Sequence, residues 1–135
     1  MKVLKLSLFL FAILSITACG DDDDQMAAVC SQSDWVGTYS GTITCVEDGD
    51  TDTEDVTVTI TASGADNIIV SYEQPGITTT YDPLPFTNCE FSLTASEQGI
   101  TLTSTGETDG NNITLTEIYS AGTESSTCTI EATRD

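Results

Sequence analysis

The chain has 135 residues, of which 22 are acidic and 3 basic; it has no histidine, and its formal net charge is −19. A surface that grips phosphates needs clustered Lys or Arg, so nucleic acid is excluded as a partner. Without histidine, and with its thiols best used in disulfides, the chain has no imidazole base, free thiol or zinc shell; carboxylate pairs remain, but a glycosidase-like pair needs a cleft, and no residue reads as catalytic.

The N-terminus comes first in chain order. Lys2 and Lys5 form a short positive segment, and Leu6 to Ile16 is almost wholly apolar. That is the length of a signal-peptide core, shorter than the ~20 residues a membrane span needs. Ile16-Thr17-Ala18-Cys19 then resembles the lipobox of bacterial lipoproteins, which is cut just before the cysteine and acylated on its thiol and new amino group. The resemblance implies that residues 1–18 are a lipoprotein signal peptide and that Cys19 carries fatty acyl chains such as palmitate. Several chains on one residue make a stable anchor. Gly20 stands where some lipoproteins carry an inner-membrane retention aspartate. Asp21 to Asp24 resembles the acidic export stretch of surface-displayed lipoproteins; a solvated, extended spacer is the alternative. The expectation is an outer-membrane, lipid-anchored protein, facing either the cell surface or the periplasm. Residues 19–34 would form a lipidated acidic tether and 35–135 a single β domain.

Loss of the leader leaves 117 residues, with 22 acids against Arg134 alone, a formal −21. Anionic headgroups repel such a body, so the lipid anchor is the expected membrane contact. Besides Cys19, four cysteines remain, Cys30, Cys45, Cys89 and Cys128. An even number at long, irregular spacings without C-x-x-C reads as two disulfides rather than a metal site.

From Trp35 onward the pattern alternates with the period of two that marks half-buried strands. The predicted inward faces are Trp35-Gly37-Tyr39-Gly41-Ile43-Cys45, then Val56-Val58-Ile60-Ala62, then Ile68-Val70-Tyr72. A weaker fourth strand runs from Thr78 to Tyr81, where Pro83 and Pro85 are expected to break it. Cys89-Phe91-Leu93-Ala95, Ile100-Leu102, Ile113-Leu115 and Cys128-Ile130-Ala132 complete the set. Ile118 and Tyr119 disturb the parity of the seventh strand, which predicts a bulge near Thr116 to Glu117. Asp109-Gly110 is a strong hairpin signal, and Asn112, the first residue of an N-x-T sequon, is better explained as a turn residue.

Eight short strands joined by hairpin-length turns make an all-β antiparallel meander. Closing strand one on strand eight removes its edges and gives an up-and-down barrel; a two-sheet β-sandwich is the alternative. In the barrel, strands one and five start at the same end, and the end of strand one meets the start of strand eight. That topology predicts the pairs Cys30–Cys89 and Cys45–Cys128.

Trp35-Val36-Gly37-Thr38-Tyr39-Ser40-Gly41-Thr42 resembles the first strand of lipocalin-like domains in bacterial lipoproteins, where a tryptophan near a glycine closes one end of the barrel. In the best-known form of that motif the glycine precedes the tryptophan. The resemblance implies an interior that takes a small apolar ligand. Trp35, Tyr39, Tyr72 and Phe91 share the inward parity and would either line such a cavity or fill a solid core. Asp48, Asp50 and Asp52 resemble the start of a D-x-D-x-D calcium loop, although Thr53 replaces its glycine and Thr59 its bidentate glutamate. A solvated hairpin tip is the other reading. Two functions stay open: a non-enzymatic barrel for a small ligand, or a surface structural or adhesion module with a solid core and calcium as a stabiliser.

Overall fold

The computed structural model describes residues 29–135; the leader, Cys19 and Asp21–Asp24 lie outside the described residues. Eight strands follow one short helix: α1 Gln32–Trp35, β1 Gly37–Glu47, β2 Asp50–Ser63, β3 Asn67–Gln74, β4 Ile77–Thr87, β5 Glu90–Glu97, β6 Ile100–Thr108, β7 Asn112–Ala121 and β8 Glu124–Arg134. They close into an antiparallel barrel in sequence order. The β1–β8 seam runs from Tyr39↔Arg134 to Glu47↔Ser126, so the sheet has no free end and the sandwich is ruled out.

Alternation explains the wall. On β2, Val56, Val58 and Ile60 are buried between exposed threonines, the pattern of a strand with one dry and one wet face. Short turns keep the strands in register. Asp48-Gly49 and Gln98-Gly99 each place two successive residues at positive φ (51° and 89°; 52° and 84°), the mirror-image geometry that matches strand twist.

Three expectations are corrected. Trp35 does not begin β1; it ends α1, and β1 starts at Gly37, so the folded unit reaches into the stretch assigned to the tether. Asp34 shapes that turn, its carboxylate accepting Ser31 Oγ–H (2.8 Å) and N–H (2.7 Å). Pro83 and Pro85 do not break β4, which continues to Thr87 across an irregularity where Ile68↔Leu84 and Val70↔Tyr81 leave one extra residue on β4. Prolines delete ladder donors, and β4 can spare them: its seam with β5 holds just Phe86↔Phe91 and Thr87↔Glu90. Finally, β7 has no bulge at Thr116–Glu117, because its register with both neighbours is unbroken. The parity that Ile118 disturbs is kept by Glu117, which points inward with Ile113 and Leu115.

The two disulfides join Cys30 to Cys89 and Cys45 to Cys128, the latter between register partners on β1 and β8. At the Cys30 end, α1 plugs the barrel. Trp35 is fully buried against Phe91 and Phe86, ring centroids 5.6 and 6.2 Å away. Arg134 fastens the plug: Nη2 donates to Asp34 O (2.6 Å) and Tyr39 Oη (2.8 Å), and Nη1 to Val36 O (3.0 Å). Its guanidinium also lies over the Tyr39 ring.

Candidate ligand site

Register partners on neighbouring strands lie side by side, so the inward residues of β5 to β8 form layers along the barrel. The deepest of three is Phe91, Gly106, Leu115 and Ile130. It is closely packed: a Cβ on Gly106 would collide with the Phe91 ring and with Leu115. The next layer is Leu93, Ser104, Glu117 and Cys128, and the one after it Ala95, Leu102, Tyr119 and Ser126. In this outermost layer Ala95 is exposed, and Leu102, Tyr119 and Ser126 are half-buried. The inward side chains are therefore more exposed toward the end opposite the α1 plug, above the middle layer.

Glu117 sits in that middle layer, 2% exposed. Its Oε2 accepts O–H bonds from Tyr72 (2.8 Å) and Tyr119 (3.0 Å), and its Oε1 accepts one from Tyr81 (2.5 Å). Three strands thus supply phenols to one carboxyl group, which a buried acid needs if its desolvation is to be offset. Burial above all pushes the hydroxyls of Tyr72, Tyr81 and Tyr119 upward from the ordinary tyrosine value, and the neighbouring Glu117 adds to the rise. They stay protonated donors at neutral pH and offer no phenolate base or nucleophile. Beside Glu117 in the β6–β7 register stands Ser104, 1% exposed, whose Oγ has no hydrogen-bond partner.

The four aromatic candidates divide between two places. Trp35, Tyr39 and Phe91 belong to the plugged end, where the Tyr39 hydroxyl donates to Trp35 O (2.8 Å). Tyr72 alone reaches Glu117. All four are buried in one apolar cluster. Asp48, Asp50 and Asp52, for which a calcium loop and a solvated hairpin tip were both open, lie in a tight hairpin, Asp48 in its two-residue turn and Asp50 and Asp52 along β2. Among the described residues no three acids, cysteines or histidines are grouped to hold a metal ion. Two surface grooves lie outside the barrel: one crosses β5 to β7 at Ser92, Thr105, Glu107 and Thr114, the other lies beside Thr42, Thr57 and Glu73.

The sequence reading missed Glu117, Tyr81, Ser104 and Tyr119 as a group. The signal was present in β7: the alternation Ile113-Leu115-Glu117-Tyr119 already puts the acid inside, but the parity of Ile118 pointed to a bulge at that place instead.

No protein-family model and no curated protein sequence matches the chain. Solved structures share the fold, two of which are the following. A protein of unknown function of the DUF3598 family from Nostoc punctiforme superposes with a TM-score of 0.63 at 12% identity, over 80% of this chain and 50% of that one. The chain thus spans half the length of that relative. The S-type phycobiliprotein lyase from Guillardia theta superposes with a TM-score of 0.60 at 8% identity, over 84% of this chain and 97% of that one. The architecture is that of a lipocalin-like barrel.

Proposed function

We propose that the chain is a non-enzymatic, lipocalin-like carrier that takes a small ligand through the open end of its barrel and is held at the outer membrane by lipid on Cys19. The observation that carries the reading is the burial gradient along the layers. Leu115 and Ile130 are 1% and 0% exposed, whereas Ala95, two layers farther from the α1 plug, is exposed although it shares their inward parity. Ile77 and Ile100, 60% and 51% exposed, add apolar surface at the rim. An apolar cup open at one end suits a ligand with an apolar body. The Guillardia theta lyase shows that this fold also serves a protein with a lyase's role, but the groups bonded to Glu117 here are three phenols that burial keeps protonated.

Binding of an environment-sensitive apolar dye tests the cup. Wild-type protein should enhance its emission saturably, and Ala95→Trp, which fills the mouth, should remove that enhancement while the protein stays folded; equal enhancement by both would count against the cup. The anchor is tested separately. Cys19→Ser should move the body out of the membrane fraction, and unchanged fractionation would sink the lipid assignment.

A further inference from the structure

The floor of the proposed cup, the Glu117 layer, carries a polarity that an apolar ligand cannot use. A carboxylate offers about four acceptor positions, and three hydroxyls occupy three of them. Two of those donate to Oε2 and one to Oε1, so the open position lies on Oε1. Directly across the register, Ser104 Oγ is buried and unpartnered. Buried polar atoms are normally satisfied, so an orphan hydroxyl beside an incompletely occupied carboxylate marks a place where a donor group belongs. No described residue puts a cation there. Among the described residues the single basic side chain is Arg134, and it is committed to the plug at the opposite end. The acidic exterior favours cations near the mouth.

We propose that the floor binds the primary ammonium group of a small amphiphilic amine, which ion-pairs with Glu117 and hydrogen-bonds to Ser104 Oγ while its apolar chain lies along Leu93, Leu102 and Tyr119. An ammonium has three donors and a full charge, so it satisfies both protein groups at once. A neutral alcohol has one donor and supplies no counter-charge. Tyr72, Tyr81 and Tyr119 hold the carboxylate in place and leave its remaining position directed to the ligand. This assignment rests on the ligand-binding reading above and specifies what that site selects.

The test is calorimetric titration of the detergent-solubilised mature chain, disulfides intact, with hexylamine, hexanol and hexanoate near neutral pH. Hexylammonium should saturate at one per chain and bind at least about tenfold more tightly than hexanol, the margin expected of a charge-assisted hydrogen bond in a sheltered site. Hexanoate should not bind. Glu117→Gln should lower amine affinity to that of hexanol and leave hexanol unchanged. Ser104→Ala, which preserves the core even if the Glu117 variant does not fold, should weaken the amine several-fold and the alcohol not at all. Equal affinity of amine and alcohol for the wild type would overturn the ammonium site while leaving the cup. Amine binding that survives both substitutions and disappears in high salt would assign it to the surface acids and overturn the proposal as well. If none of the three probes bound, the ligand-binding reading itself would fall.

Discussion

At the scale of single residues, Glu117 has the most to lose by substitution. Glu117→Ala would leave three phenolic hydroxyls without their acceptor, and an unsatisfied buried donor costs about 1–3 kcal/mol. Tyr119 is half-buried and can turn to water, so the expected destabilisation is about 3 kcal/mol, read from urea unfolding. The tyrosines give a pH prediction. The chain has four, Tyr39, Tyr72, Tyr81 and Tyr119, and burial raises each above the ordinary value of 10.0. A raised folded pKa means that the fold favours the neutral phenol. The resulting stability is fully present below about pH 10 and is lost as the pH climbs above it. Tyrosinate absorbance should therefore stay low in the native protein past pH 10 and appear together with unfolding; four independent titrations near 10 would contradict the buried cluster.

At the scale of elements, close approach decides which glycines matter. A Cβ on Gly41 would run into the backbone of β8, at Glu131 O and Ala132 Cα, whereas one on Gly106 would meet the side chains of Phe91 and Leu115. Side chains can shift and a paired strand cannot. Gly41→Ala should thus cost more than Gly106→Ala, which falls in the ~1–3 kcal/mol range of ordinary overpacking, and thermal melts of the two variants would rank them. This scale also shows what the sequence could and could not convey. Period-two alternation made every strand visible, because one wet and one dry face leave that mark on threonines and valines alike. It failed at Trp35, where four residues are too few to show a helical period. It failed at Pro83, where a strand tolerates proline because its neighbour scarcely pairs with it. Glu117 was missed for a different reason: an acid on an inward position is allowed only if distant strands bring donors to it. Tyr72 and Tyr81 lie 45 and 36 residues away.

At the scale of the whole molecule, covalent closure compensates for a modest core. The disulfides span 59 and 83 residues. Loops of that length imply about 4 kcal/mol each of unfolded-state entropy on the chain-entropy model. Replacing Cys45 and Cys128 together by alanine should lower stability by a few kcal/mol, visible as a drop in the urea midpoint; an unchanged midpoint would mean that hydrogen bonding alone secures the β1–β8 seam. The barrel class and the two cysteine pairs were legible in advance because a closed meander leaves little freedom in which strand ends meet. The burial gradient was not, because which end is plugged depends on a helix of four residues.

The placement of Cys30 has a mechanical consequence. The chain enters the barrel beside its plugged end, and there Cys30 is bonded to Cys89, the residue just before β5. A pull on the N-terminal segment therefore divides between α1 and the far side of the wall instead of loading β1 alone. The terminal strand cannot be peeled from its neighbours one hydrogen bond at a time, because Cys45 ties it to β8 further along. Pulled from its N-terminal side, the barrel would bear load as a hoop.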